Sequence, residues 1–351
     1  MRVLYLVPAR GLADPNTARE ASVLADAGHE VSIVGPRGRT VVSGILDLVY
    51  RAPRIARKAK ADAILCRDLD TLWAAIRAKR RTGAKVVYWP HDVYQDMVAT
   101  DVPSAVVRLL DRHEKRLILA VDAAVASNEG VRKHLMERCL GLFPALVMPC
   151  RVPEMYFSPH GMRQLCYLGT LHKNRFIREM VEAMPAIREG FDEPKPTLVI
   201  AGPRDRHGIY DWLQRDYGRP VGGFDDEPVM FLGTITEDEV LHETWRSDVV
   251  VSMLNPADRC LRVGLANKVF DAMAVGRAAI STRGTATGDL IAETGMGLTP
   301  PYNVGMYVAA IRHMLENDIV GMGKNAYYAG KTKYNWNIQA EKLVKVFEEL
   351  K

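Results

Sequence analysis

The residues from Asn267 to Ser281, Asn-Lys-Val-Phe-Asp-Ala-Met-Ala-Val-Gly-Arg-Ala-Ala-Ile-Ser, have types and spacing that suit anion chemistry. Gly264 precedes them in a short loop, so the loop leads directly into helical periodicity. Free N–H groups at a helix N-terminus bind anions. That spacing predicts a diphosphate over Gly264, Leu265 and Ala266, with Lys268 available to neutralise a phosphate oxygen. Asp271 falls one turn in, on the face of Asn267 and Lys268. A carboxylate there can accept hydrogen bonds from two vicinal ribose hydroxyls. The same pattern also suits a charged surface helix packed through Val269, Phe270 and Met273. A second candidate is Tyr88-Trp-Pro-His-Asp92. It places His91 and Asp92 just past a strand, where parallel sheets gather their site residues. A histidine closing a strand end by hydrogen bonding is the plainer account of it.

These residues need elements to position them. Short β-branched runs at Val3–Val7, Val31–Val34, Ala63–Cys66, Lys85–Trp89 and Ala123–Ala126 read as strands. Helices are predicted near 70–80, 104–119 and 129–138. Another follows the first strand, opened by Thr17-x-x-Glu20 as a capping box and closed near Gly28. Met148 to Glu154 breaks both patterns and reads as a linker. The rhythm then restarts with strands at Leu165–Leu168, Thr197–Ala201, Val229–Leu232, Asp248–Met253 and Ala278–Ser281. Helices are predicted at 175–188, after a second capping box at Thr236-x-x-Glu239, at 267–275, near 303–316 and at 337–350. Alternation of this kind implies two doubly wound α/β domains, 1–152 and 153–336. The last helix, 337–351, is expected to return to the first domain. The two domains are expected to face a central cleft.

Length and composition fit this plan. The chain has 351 residues, 48% hydrophobic and 25% charged, enough for two cores. Its five cysteines, Cys66, Cys139, Cys150, Cys166 and Cys260, form no CxxC pair. Neither a disulfide framework nor a zinc site is expected, and a reducing compartment is the simplest reading. The N-terminal run reads as a strand rather than a signal peptide, and no stretch reaches the ~20 apolar residues of a membrane span. A cytoplasmic protein is therefore expected. Of the net charge of +5, the excess lies wholly in residues 1–150, which carry 23 Lys/Arg against 16 Asp/Glu. Solvated helix faces explain such an excess. So would attraction to an anionic acceptor or to acidic lipid at the inner face of a membrane. Arg108, Leu109, Arg112, Arg116 and Leu117 share one helical region with apolar neighbours and suit such a peripheral contact. Nucleic acid is not indicated, since no aromatics are interleaved with the charges.

Asn267-Lys-Val-Phe-Asp-Ala-Met-Ala-x-Gly276 followed by a strand resembles the donor-site signature of the family-4 (group 1) retaining glycosyltransferases. Tyr167-Leu-Gly-Thr-Leu-His-Lys-Asn-Arg175 resembles the glycine loop that opens their second domain. Val199–Gly202, Val229–Val240 and Val121–Gly130 agree in order and spacing. The resemblance covers nearly the whole chain, specifically in the second half and diffusely in the first. It implies the GT-B fold and transfer of a sugar from a UDP- or GDP-linked donor to a hydroxyl acceptor, with retention and without a required metal. It implies that Thr170, Arg175, Gly264, Leu265, Lys268 and Asp271 hold the donor nucleotide. His91 would lie beside the transferred sugar with Asp92 close by. Pro8–Thr17, with Arg10 and Gly11, would line the acceptor side.

The chain departs from that family at several positions. Of two glutamates eight positions apart, the first falls on Val263 and the second on Asp271. The loop arginine falls on Thr170 and the loop lysine on Arg175, so one cation is lost and one conservatively changed, with Lys173 and Lys268 as candidates to compensate. These losses keep open a binding protein of impaired turnover. A GT-B sugar-nucleotide epimerase would cleave the donor without an external acceptor. A nicotinamide dehydrogenase needs G-x-G-x-x-G after a strand, which is missing. Asp68-Leu-Asp70 has the spacing of a metal motif, but Asp70 is better explained as a helix N-cap.

Overall fold

A computed structural model of the chain describes residues 1–38, 40–99, 102–139, 141–153, 161–205, 207–218 and 227–350, and of residues 10, 13 and 15 the backbone alone. The chain divides into two compact units, Met1–Pro149 with Trp336–Lys351, and Cys150–Asn335. Each is built on a six-stranded parallel sheet.

In the first unit the strands are β1 (Arg2–Leu6), β2 (Glu30–Val34), β3 (Ala63–Arg67), β4 (Lys85–Trp89), β5 (Ala123–Ala126) and β6 (Ala145–Leu146), in the order β2-β1-β3-β4-β5-β6. They are connected through α1 (Pro15–Asp26), α2 (Val41–Lys58), α3 (Asp68–Thr82), α4 (Tyr94–Val98), α5 (Ser104–Ile118) and α6 (Glu129–Arg138). β3 is buried throughout. Leu4, Leu6, Ile64, Cys66, Val86 and Tyr88 point from the sheet into one core with Leu48, Ala52, Leu72 and Ile76 of α2 and α3. Registers Tyr5↔Leu65 and Arg67↔Trp89 bring the carboxyl ends of β1, β3 and β4 together.

The second unit contains β7 (Gln164–Leu168), α7 (Ile177–Glu182), α8 (Met184–Arg188), β8 (Thr197–Ala201), α9 (Ile209–Tyr217), β9 (Val229–Phe231), α10 (Glu237–Arg246), β10 (Val249–Ser252), α11 (Arg259–Val263), α12 (Asn267–Val275), β11 (Ala278–Ser281), α13 (Ala286–Thr294), β12 (Gly297–Leu298), α14 (Val304–Glu316) and α15 (Ile319–Thr332). Its sheet order is β12-β11-β10-β7-β8-β9, which reverses direction at β7. Such a reversal opens a crevice at the carboxyl ends of the strands. α16 (Trp336–Glu348) belongs to the first unit and packs on α1 and β6.

Several local readings of the sequence are corrected. Thr17 and Glu20 form no capping box: Asp14 is the N-cap of α1 and its side chain accepts from the Asn16 amide. Asp70 lies two residues inside α3 and is no N-cap, since that helix starts at Asp68. The single helix expected at 175–188 is two, with Pro185 in the first turn of the second. α2 went unread because Gly44 and Pro53 interrupt its pattern; Pro53 lies inside the helix. The capping box at Thr236 and Glu239 does form, with both reciprocal bonds.

Candidate functional site

In the second unit, three glycines let three strand ends converge. Gly169 follows β7 with φ 144°, a backbone region that L side chains rarely adopt. Its carbonyl lies so close to Gly202, after β8, that a Cβ there would stand 2.1 Å from the oxygen. The Gly202 amide in turn donates to the Gly233 carbonyl beyond β9.

Lys268, in the first turn of α12, reaches into this convergence. Its side chain is 6% exposed, and its Nζ lies 3.6 Å from the centre of the Tyr167 ring. Cε and Nζ are both 3.5 Å from where a Cβ on Gly169 would lie. Nζ is buried and makes no hydrogen bond among the described residues. Burial, then the nearby Arg175 charge, pulls the Lys268 ammonium well below its ordinary pKa. Tyr167 donates its hydroxyl to the Thr170 carbonyl at 2.6 Å. Its phenol is pushed up by burial and drawn back by Arg175, which also hydrogen-bonds to it. Thr170, Arg175 and Lys268 are thus gathered around one tyrosine and one glycine loop.

The cradle before α12 differs from its expected form. The Gly264 amide donates to the Cys260 carbonyl at 2.9 Å, and the Ala266 amide to Thr287 Oγ1 at 3.1 Å. Both are therefore taken within the protein, while Leu265, Asn267 and Lys268 have no such amide bond among the described residues. Asp271 is 5% exposed and its Oδ1 accepts from Arg151 Nε at 2.7 Å. Arg151 also pairs with Glu237 at the start of α10. It comes from the segment that reads as a linker, and no local pattern in the sequence marks it. Val263 ends α11 and is half-buried.

In the first unit, His91 and Asp92 follow β4, and His91 is seated in a buried polar cluster. Arg67 Nη2 is 3.1 Å from His91 Nδ1. The same nitrogen donates to Asp14 at 2.5 Å, and Nη1 donates to Thr17 Oγ1 at 2.7 Å. His91 Nε2 is 3.5 Å from Glu20 Oε1, and Tyr5 donates its hydroxyl to Glu20 Oε2. The His91 amide donates to Asp68 Oδ1 at 2.8 Å, while Ser127 donates to the His91 carbonyl at 2.5 Å. Asp68 adopts a left-handed φ of 62°, which costs energy outside glycine and concentrates at working sites. Glu20 is 1% exposed. Burial pushes its carboxyl up to about 7, against the pull of Arg67 and the Tyr5 hydrogen bond. Burial opposes the charge on Arg67, yet Glu20, Tyr5 and Asp14 raise its pKa overall. Glu20, Arg67 and Asp68 were not legible as site residues. No local pattern in the sequence marks them, since Glu20 follows Arg19 in a helical stretch and Arg67-Asp68 sit where a strand meets a helix.

On the loop expected to line the acceptor side, Arg10 and Gly11 lie in a 3-10 turn, Ala9–Ala13. The Arg10 side chain is outside the described residues. Gly11 is buried, and a Cβ there would meet Val7 at 3.0 Å, so its smallness serves local packing. A groove of about 620 Å³ crosses the face of β7, β8 and β9, lined by Gln164, Thr197, Val199 and Met230, and shares no lining with Gly169, Arg175 or Lys268. Among the described residues, no group of three His, Cys, Asp or Glu side chains could hold a metal.

Comparison with known proteins follows the same division. The model of the glycosyl transferases group 1 matches residues 162–317, and that of glycosyltransferase family 4 matches residues 3–142. No curated protein matches the chain by sequence. Among solved structures, a sucrose-phosphate synthase from Thermosynechococcus elongatus is 14% identical, with a TM-score of 0.76 over 100% of this chain and 99% of the other. HepE of Anabaena, solved with UDP-glucose, is 12% identical, with a TM-score of 0.73 over 99% and 100%. A Listeria monocytogenes protein named as a UDP-N-acetylglucosamine 2-epimerase is 13% identical, with a TM-score of 0.63 over 99% and 97%. At these identities the likenesses establish the fold, which is that of the GT-B proteins. The two family models together span most of the chain, and the protein belongs to the group 1, family 4 glycosyltransferases.

Proposed function

We propose that this protein transfers a hexose or related sugar from a UDP- or GDP-linked donor to a hydroxyl of a glycan, lipid-linked or small-molecule acceptor, with retention at the anomeric carbon. The observation that carries the reading is Lys268. A buried ammonium without a hydrogen-bond partner is unfavourable. Beside a glycine loop and a second cation, it is accounted for by a ligand bearing more than one negative charge.

On this reading, the second unit holds the donor. Lys268 and Arg175 bind the diphosphate, and the Thr170 loop and the Leu265 amide close around it. Asp271 receives ribose hydroxyls on the oxygen that Arg151 leaves open. The bond from the anomeric carbon to the diphosphate oxygen breaks, and a bond from that carbon to the acceptor oxygen forms on the same face. The acceptor proton passes to the departing diphosphate, whose charge Lys268 and Arg175 offset. His91 and Asp92, in the first unit, orient the sugar and acceptor. HepE, crystallised with UDP and with UDP-glucose, offers a precedent for such a ligand on this fold. The epimerase has the fold as well, but both family models that match here describe transferases.

Calorimetric titration with UDP and GDP tests the reading. One of the two should bind, and Lys268→Met should weaken it about tenfold or more, the loss of a charge-assisted contact. Binding of neither nucleotide, or equal binding by the variant, would remove the basis of the proposal.

A further inference from the structure

The cluster around His91 contains more structure than a histidine at a strand end requires. The groups of the cluster come from four elements: Tyr5 from β1, Asp14 and Glu20 from α1 and its cap, Arg67 from β3 and Asp68 from α3; of these, Arg67 and Glu20 reach the ring nitrogens. Arg19 adds a further positive charge near Glu20. The Trp89 ring lies 5.2 Å from the imidazole, tilted by 41°.

A guanidinium nitrogen can only donate hydrogen bonds. Arg67 Nη2, 3.1 Å from His91 Nδ1, therefore requires Nδ1 to be the acceptor. A proton on Nδ1 would point at the guanidinium N–H. In a neutral imidazole the one ring proton then sits on Nε2. That nitrogen lies 3.5 Å from Glu20 Oε1, an ion-pair distance rather than a formed hydrogen bond, while Tyr5 donates to the other carboxylate oxygen. The backbone of His91 is fixed on both sides, its amide by Asp68 and its carbonyl by Ser127. Arg67 is itself held, with Asp14 accepting from Nη2 and Thr17 from Nη1.

We propose that Arg67 and Glu20 are positioning residues that hold His91 as a single neutral tautomer, with Nδ1 accepting from Arg67 and the proton on Nε2 directed toward Glu20. The inference rests on the reading of His91 as a site residue. It adds a chemical restriction: an imidazole already protonated at Nε2 has no lone pair there to take a proton from an acceptor hydroxyl. His91 then serves as an N–H donor of fixed direction, and the acceptor proton must go elsewhere. The departure of Thr17 and Glu20 from a capping role follows, since both side chains are engaged by this cluster instead.

The test is ¹⁵N NMR of the full chain carrying ¹⁵N-histidine, without substrate, from about pH 6 to about pH 8, the range in which histidine ordinarily titrates. His91 is assigned by comparison with His91→Gln. The wild-type spectrum should show Nδ1 in the unprotonated range and Nε2 in the protonated range. A Nε2 shift that follows the Glu20 titration, at about 7, should disappear in Glu20→Gln while the tautomer remains. Arg67→Met should release the preference toward a mixture, and Arg67→Lys, which keeps a donor, should restore much of it. A wild-type His91 protonated at Nδ1, or an imidazolium across the whole range, overturns the proposal. So does an Arg67→Met spectrum identical to wild type. Should Arg67→Met fail to fold, the wild-type and Glu20→Gln spectra still decide. Because no substrate is present, loss of transferase activity in the wild type would refute the proposed function and leave this result standing.

Discussion

Lys268 combines a stability cost with the binding role proposed for it. Its ammonium sits against the Tyr167 ring with no hydrogen-bond partner among the described residues. The ring face offsets only part of what burial removes. Lys268→Met is expected to raise the stability of the nucleotide-free protein by about 1–3 kcal/mol, the range for relieving an unsatisfied buried polar group. Urea unfolding measures this. The sign of the pH dependence follows from the lowered pKa. The unfolded chain holds the lysine proton more tightly than the folded one, so stability rises with pH through the folded pKa toward the ordinary lysine value of about 10.4. That rise should be present in thermal melts of the wild type and missing in Lys268→Met. The opposite slope would mean that the ammonium has a partner. At this scale the sequence singled out Lys268 and Asp271, where charge coincides with a helical pattern, and the structure buries both. The sequence was misleading at Thr17 and Glu20, whose spacing fits a cap. Their partners Arg67 and His91 lie on β3 and past β4, far along the chain.

At the scale of elements, α12 was legible to its ends. A loop precedes it, its apolar residues recur at helical spacing, and Gly276 closes it in the left-handed conformation. α2 was not, since its helical face includes Val41, Val42 and an internal proline, and tertiary packing on α3 overrides those weak propensities. Arg151 was hidden for a different reason. Its segment has the composition of a linker, yet its side chain ties α10 to α12 through Glu237 and Asp271. Arg151→Met would leave the Asp271 carboxylate buried without its cation. A loss of about 1–2 kcal/mol in urea unfolding is expected, reduced because Arg151 is partly exposed. Nucleotide affinity should fall about tenfold in parallel, as the carboxylate loses its fixed orientation. Unchanged affinity with reduced stability would confine Arg151 to a structural role.

At the scale of the whole molecule, the charge excess of the first unit is concentrated on helix surfaces. Tyr50, Arg54 and Arg57 of α2 line one hollow with Arg77 and Arg81 of α3, and Trp73, Arg77, Arg80 and Arg81 line the next. Val42 and Leu46 continue the exposed apolar face of α2. On α5, Leu117 turns into the core, leaving Arg108, Leu109, Arg112 and Arg116 outside. No helix among the described residues is long and apolar enough to cross a membrane. The expectation of a peripheral contact with anionic lipid would set the arginines at the headgroups and Val42, Leu46 and Tyr50 among the acyl chains. Vesicles of phosphatidylglycerol should sediment the protein, and those of phosphatidylcholine should not. Arg77→Glu with Arg81→Glu should abolish sedimentation. Equal sedimentation by both lipids, or none, would contradict that expectation.

The claim on which the account depends is that Gly169, Arg175 and Lys268 enclose the diphosphate of the donor. A crystal structure of the protein soaked with UDP or GDP tests it most directly. The account predicts a phosphate oxygen within hydrogen-bond distance of Lys268 Nζ, which is unpartnered among the described residues without ligand. A nucleotide lodged elsewhere, with the Lys268 ammonium still facing only the Tyr167 ring, would contradict it.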